Sequence, residues 1–273
     1  MSIIRKSVST NLGSIHLTIQ GNGPAMIFWP GLMMDSSMWH HQADYFKENY
    51  QVIRIDGPGH GNSERLIRRF TMEECALCLN QIMNQLNINR AIIVGNSWGS
   101  IVAGVFSALY PQRSAAIVLM NSTASVATIK QKVELSFMGF LSKIISRIPT
   151  ILIKQSVSSL IGKSTHKSKN SVKKQLEKIL SGLNLDSVKW AFVSLTRRRD
   201  IHELLSQVKS PTLVIAGEED QVFTLDETRN MANAIPNSMF EVLAGVGHSA
   251  PLENPQLVNE RVAHFLEFKV NPS

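Results

Sequence analysis

The stretch "VGNSWGS", residues 94–100, sets a serine between two glycines. It follows the apolar run "AIIV" (91–94) and precedes "SIVAGVFSALYP" (100–111). Glycine weakens helix and strand interiors alike, so two within five residues need a local cause. A turn that brings backbone against backbone is one such cause, and a plain loop is the other. The flanking segments decide between them. "RAIIVG" (90–95) is continuously apolar, as a strand covered on both faces would be. "SIVAGVFSALYP" spaces its apolar residues helically and is closed by Pro111. The two glycines therefore sit at a sharp strand-to-helix turn.

Working outward, apolar strands keep alternating with helical patterns. "SIHLTIQ" (14–20), "AMIFW" (25–29), "YQVIRID" (50–56) and "AAIVLMN" (115–121) read as strands. "SMWHHQADYF" (37–46) and "TMEECALCLNQIMNQL" (71–86) read as helices, the second opened by a Thr71/Glu74 capping box. From about Ala124 to Gln207 the chain is helical in spacing and rich in Ser, Lys and Ile. "KSPTLVIAGEED" (209–220) and "SMFEVLAG" (238–245) restore the strand pattern, and "PQLVNERVAHFLEF" (255–268) reads as a closing helix. This alternation predicts an α/β fold with a mostly parallel, doubly wound sheet. Residues 1–123 and 207–273 would form its core, and residues 124–206 an inserted helical lid.

At 273 residues and 44% hydrophobic, the chain can bury a large single core. Its start, "MSIIRKSVSTNLGS", has no apolar leader, and no window approaches the roughly 18–20 apolar residues of a membrane span. Both features predict a soluble, cytoplasmic protein. Cys75 and Cys78, three apart within a helical pattern, cannot frame a disulfide scaffold and have no further metal ligands beside them. They read as buried thiols, with neither metal nor cofactor expected.

Chemistry is concentrated in a few segments. A serine on a strand–turn–helix elbow has its hydroxyl raised above the sheet, but it is a weak nucleophile without a base and an acid to orient that base. In this arrangement the chain order is Ser, then Asp or Glu, then His. Asp220 follows the strand in "TLVIAGEED", and His248 follows the strand "SMFEVLAG" in "GVGHSAPLENP". Glu219 and Asp226 are the carboxylates that a shift of register would put in place of Asp220. His60, in the turn "IDGPGHGNS" (55–63), reads as structural, and His40 and His41 as surface or packing residues.

With these segments in place, the chain resembles the α/β-hydrolase superfamily over nearly its whole length, most of all its lid-bearing esterases, lactonases and C–C bond hydrolases. "IFWPGLMMDSSMW" (27–39) resembles the oxyanion loop, "IDGPGHGNS" the turn that follows, and "GNSWGS" the elbow. "GEEDQVF" and "GVGHSAPLENP" resemble the acid and base segments. The resemblance implies Ser97 as nucleophile, His248 as general base and then acid, and Asp220 as the orienting carboxylate. It also implies an oxyanion hole from the backbone N–H groups of Leu32 and Trp98, with Gly31 and Trp98 lining the substrate pocket. One position departs from the pattern: Pro30 stands where the family usually has histidine.

The implied activity is cleavage of a small-molecule carboxylic ester, including a lactone or a carrier-bound ester, through an acyl-enzyme. The alternatives are C–C hydrolysis of a ring-cleaved dienoic acid and a slow-turnover receptor for a small molecule. Charge adds a second expectation. Residues 130–200 carry 15 Lys and Arg against four Asp and Glu, while the rest of the chain is net acidic. Such a lid is a solvated basic surface, or it attracts an acidic carrier protein, an anionic membrane surface or an anionic substrate met by Arg197 to Arg199. Nucleic acid fits poorly, because base-stacking aromatics are missing from the segment. The sequence leaves the oligomeric state open.

Overall fold

The computed structural model describes residues 3–269. Eight strands form one sheet: β1 (Ile4–Thr10), β2 (Gly13–Gln20), β3 (Ala25–Trp29), β4 (Gln51–Ile55), β5 (Ala91–Asn96), β6 (Ser114–Met120), β7 (Thr212–Gly217) and β8 (Met239–Leu243). Their spatial order is β1-β2-β4-β3-β5-β6-β7-β8. The pairs β1/β2 and β2/β4 are antiparallel and all the others parallel. β1 is a strand that apolar patterning does not mark. It is an outer edge whose residues are mostly exposed, so no apolar run announces it.

The helices are α1 (His40–Phe46), α2 (Met72–Gln85), α3 (Trp98–Leu109), α4 (Ile129–Leu141), α5 (Thr150–Leu160), α6 (Lys163–Ser168), α7 (Asn170–Gly182), α8 (Leu185–Thr196), α9 (His202–Leu205), α10 (Leu225–Asn233), α11 (Ala250–Glu253) and α12 (Pro255–Lys269). The central strands β3, β5, β6 and β7 are buried at nearly every position because the period-2 alternation feeds two cores at once. Ile27, Trp29, Ile93, Ile117, Leu119 and Val214 face α2, α3 and α10. Met26, Phe28, Val94, Val118, Leu213 and Ile215 face α1 and α12. Parallel strands under helices on both faces place the loops that follow β3, β5, β7 and β8 at one edge, where ligands bind in such sheets.

Between β6 and β7 the chain passes through α4 to α9, and all of its regular elements there are helical. Ile153, Val157, Leu176, Leu180, Val188 and Phe192 of this excursion are buried in one of the two cores, so it packs down onto the sheet's carboxyl edge. Among the described residues no helix is long and apolar enough to cross a membrane.

Candidate active site

Ser97 joins β5 to α3 at φ 55° and ψ −115°, a left-handed conformation that costs a residue with a Cβ about 1–3 kcal/mol. The turn is so tight that a Cβ at Gly95 would strike the backbone of Gly99 and Ser100. One at Gly99 would strike the carbonyl of Trp29. That is the local cause of both glycines. The strained residue is held from outside: Ser97 N donates to Met120 O at 2.8 Å, and Ser122 Oγ donates to Ser97 O at 2.9 Å.

His248 and Asp220 are both almost fully buried, and the imidazole Nδ1 lies 2.9 Å from Asp220 Oδ2. The other carboxylate oxygen accepts from the N–H groups of Val222 at 2.8 Å and Phe223 at 3.2 Å, which fixes the Asp220 rotamer. Glu219 points elsewhere, accepting from Ser164 N and Oγ at 2.7 Å each. Asp226 lies in the first turn of α10. Ser97 and His248 line one cavity of about 150 Å³ together with Leu32, Trp98, Leu135, Leu160 and Arg198. No hydrogen bond joins Ser97 Oγ to the imidazole among the described residues, a looseness common in sites without substrate.

Leu32 and Trp98 also line this cavity, and the backbone N–H of neither has a hydrogen-bond acceptor among the described residues. Gly31 lies so close that a Cβ there would be 3.4 Å from Ser97 Cβ. The Trp98 ring itself is wedged between Trp29, His60 and Phe70, with ring centroids 5.2–5.9 Å away.

His60 explains how the loop keeps its shape with Pro30 in it. Its Nδ1 lies 2.9 Å from Pro58 O, and its Nε2 accepts from Met33 N at 3.2 Å. That pairing needs the neutral ring, protonated at Nδ1, and complete burial pushes its pKa down to about 4. Met33 is another left-handed residue, at φ 67°, so its N–H is held by a partner from a different loop. Asp56 adds a second tie from the same turn, accepting from Ser36 N and Asn62 N at 2.8 Å each. His40 and His41 stack on each other at α1, outside the residues lining the cavity.

Two positions that the sequence reading did not single out hold the His248 loop. Asn121, at the end of β6, donates to Gly247 O at 3.1 Å and His248 O at 2.8 Å, while its Oδ1 accepts from Gly217 N at 2.7 Å. It therefore ties the loop bearing the base to the strand that leads to the acid. Glu253, fully buried, accepts from Gly247 N, Ser249 N and, in the helical excursion, Gly162 N at 2.8–3.0 Å. Burial raises its carboxyl above the usual carboxylate range despite those donors.

The family model of the alpha/beta hydrolase fold matches residues 24–255. The chain belongs to the alpha/beta hydrolase family. This alpha/beta hydrolase is 27% identical to 3-oxoadipate enol-lactonase 1 of Acinetobacter baylyi, over 94% of its own length and 95% of that protein's. It is 28% identical to the 2-hydroxy-6-oxononadienedioate/2-hydroxy-6-oxononatrienedioate hydrolase of Burkholderia vietnamiensis, over 91% and 85%. Among solved structures, a thermophilic esterase from Thermogutta terrifontis with malate bound is 26% identical. It superposes with a TM-score of 0.89, covering 98% of this chain and 99% of that one.

Proposed function

We propose that this alpha/beta hydrolase cleaves a carboxylic ester through an acyl-enzyme on Ser97. The observation that carries the reading is the buried Asp220–His248 hydrogen bond of 2.9 Å beside the cavity that the strained Ser97 also lines. Asp220 fixes the tautomer with Nδ1 protonated, leaving Nε2 to take the Ser97 hydroxyl proton as the oxygen attacks the carbonyl carbon. The carbonyl oxygen becomes an oxyanion and takes up the free N–H groups of Leu32 and Trp98, donors worth about 10²–10³ each in rate. Collapse breaks the bond to the leaving oxygen, which departs with the proton from His248. Water, deprotonated by the same imidazole, then releases the acid and restores Ser97. Both the lactonase and the esterase relatives cleave carboxylic esters by name, which supports this reaction class.

The test is hydrolysis of short, medium and long p-nitrophenyl esters by the wild type and Ser97→Ala. Steady turnover that vanishes in the variant is expected, and turnover unchanged by the substitution refutes the reading. A second reading, C–C hydrolysis of a ring-cleaved dienoic acid, is favoured by Arg198. This residue lines the same cavity and is 8% exposed. Its guanidinium bonds Ser125 O, Leu195 O and Gln131 Oε1 and makes no ion pair among the described residues. Burial lowers its pKa to about 10, still a cation for a substrate carboxylate. Bleaching of a dienoate chromophore with no ester turnover would select this reading.

A further inference from the structure

Helix α4 has two apolar faces. On one, Leu135 lines the Ser97 cavity, and Met138 packs behind it toward the core. On the other, Ile129, Val133, Phe137 and Phe140 recur at helical spacing, and Ile144 continues the row just past the helix. These five side chains are 52–82% exposed. Single exposed apolar residues are ordinary, but a contiguous row of large ones marks an interaction surface. Cations rim it: by helical spacing Lys130 stands on one flank and Lys132 on the other, with Lys143 just past the helix. Lys132 and Lys143 make no ion pair among the described residues.

We propose that this face of α4 docks the protein on an anionic phospholipid surface. An apolar helix face flanked by lysines is the pattern of helices that lie in a headgroup layer, apolar side chains inserted and ammonium groups on lipid phosphates. The surrounding segment, with 15 basic residues against four acidic ones between 130 and 200, complements that surface. The same charge argues against a second copy, because a two-fold interface would set two such basic segments against each other. With no helix suited to crossing the bilayer among the described residues, the contact is peripheral. Docking would also orient the active site. A groove of about 310 Å³ between α4 and α5 shares Met33, Glu134, Leu135 and Leu160 with the Ser97 cavity and takes in the exposed Phe137, so it opens toward the lipid.

The test is co-sedimentation with phosphatidylcholine vesicles, with and without phosphatidylglycerol, at low and high salt. Three proteins are compared: the wild type, Ile129→Ser/Phe140→Ser/Ile144→Ser, and Lys130→Gln/Lys132→Gln/Lys143→Gln. Circular dichroism and thermal unfolding confirm that each is folded, and light scattering gives its mass without vesicles. The wild type should bind only vesicles containing phosphatidylglycerol and release in salt. The apolar variant should lose at least about tenfold in partitioning, and the lysine variant about fivefold per cation at low salt. Absence of wild-type binding, or binding that neither variant weakens, overturns the proposal. So does an apolar variant whose only change is conversion of a dimer to a monomer, which would make the face a self-association surface.

Discussion

Acidification should destabilise this protein through His60. The ring is fully buried and neutral, with Nε2 accepting from Met33 N, and its pKa falls from 6.5 to about 4. As the pH drops below 6.5, the unfolded chain takes up a proton at this site that the folded chain refuses until about pH 4. The unfolded state thus gains stability across that window, while above 6.5 the group contributes no pH dependence. A gap of about 2.5 units at 1.36 kcal/mol per unit is worth roughly 3 kcal/mol, a sizeable share of the stability of an ordinary domain.

The assay is urea unfolding, followed by tryptophan fluorescence, of the wild type and His60→Gln at a series of pH values from neutral to about 4. Other titrating groups cancel in the difference between the two proteins. The wild type should be the more stable protein at neutral pH, with its advantage shrinking by roughly 3 kcal/mol toward pH 4. Parallel curves would refute the argument, since His60 would then not be the neutral acceptor that holds Met33.

Other consequences are as direct. Ser97→Gly removes the Cβ from a left-handed position and should raise stability by about 1 kcal/mol while abolishing ester hydrolysis, read by thermal unfolding and turnover together. Asn121→Asp keeps the acceptor for Gly217 N but loses both donors to the His248 loop. It should cost roughly 1–3 kcal/mol in stability and lower kcat far more than it changes KM. Glu253 keeps its proton longer in the folded state, so its own contribution to stability, read as the difference between the wild type and Glu253→Gln, should fall as pH rises above the usual carboxylate range. Glu253→Gln should lack that slope in unfolding measured against pH.

What could be read from the sequence was whatever is encoded locally. The apolar run into Gly95, the two glycines and the helical run out of Gly99 fix the elbow within some twenty residues. Asp220 and His248 each sit just past a strand that patterning marks, so the sheet edge brings them together. Asn121 and Glu253 were not legible: Asn121's partners Gly217 and His248 lie far off in sequence, and Glu253 joins the nearby Gly247 and Ser249 to the distant Gly162. His60 was read as a turn residue, and that it aims at Met33 emerges only when two loops 27 residues apart are packed. The exposed row of α4 was hidden for a related reason. Within α4 only Leu135, Met138 and Leu141 pack inward, while Ile129, Val133, Phe137 and Phe140 face out. Which face a helix buries is set by its neighbours rather than by its own spacing. β1, mostly polar and at an edge, has only Ile4 and Val8 as apolar residues, too few to mark a strand.

The central claim is a covalent acyl intermediate on Ser97, and mass spectrometry of the protein quenched during p-nitrophenyl ester turnover tests it most directly. An adduct of the acyl mass is expected on the peptide containing Ser97, formed in a burst before steady release and missing from Ser97→Ala. Sustained ester turnover with Ser97 unmodified, and undiminished in the alanine variant, would contradict it.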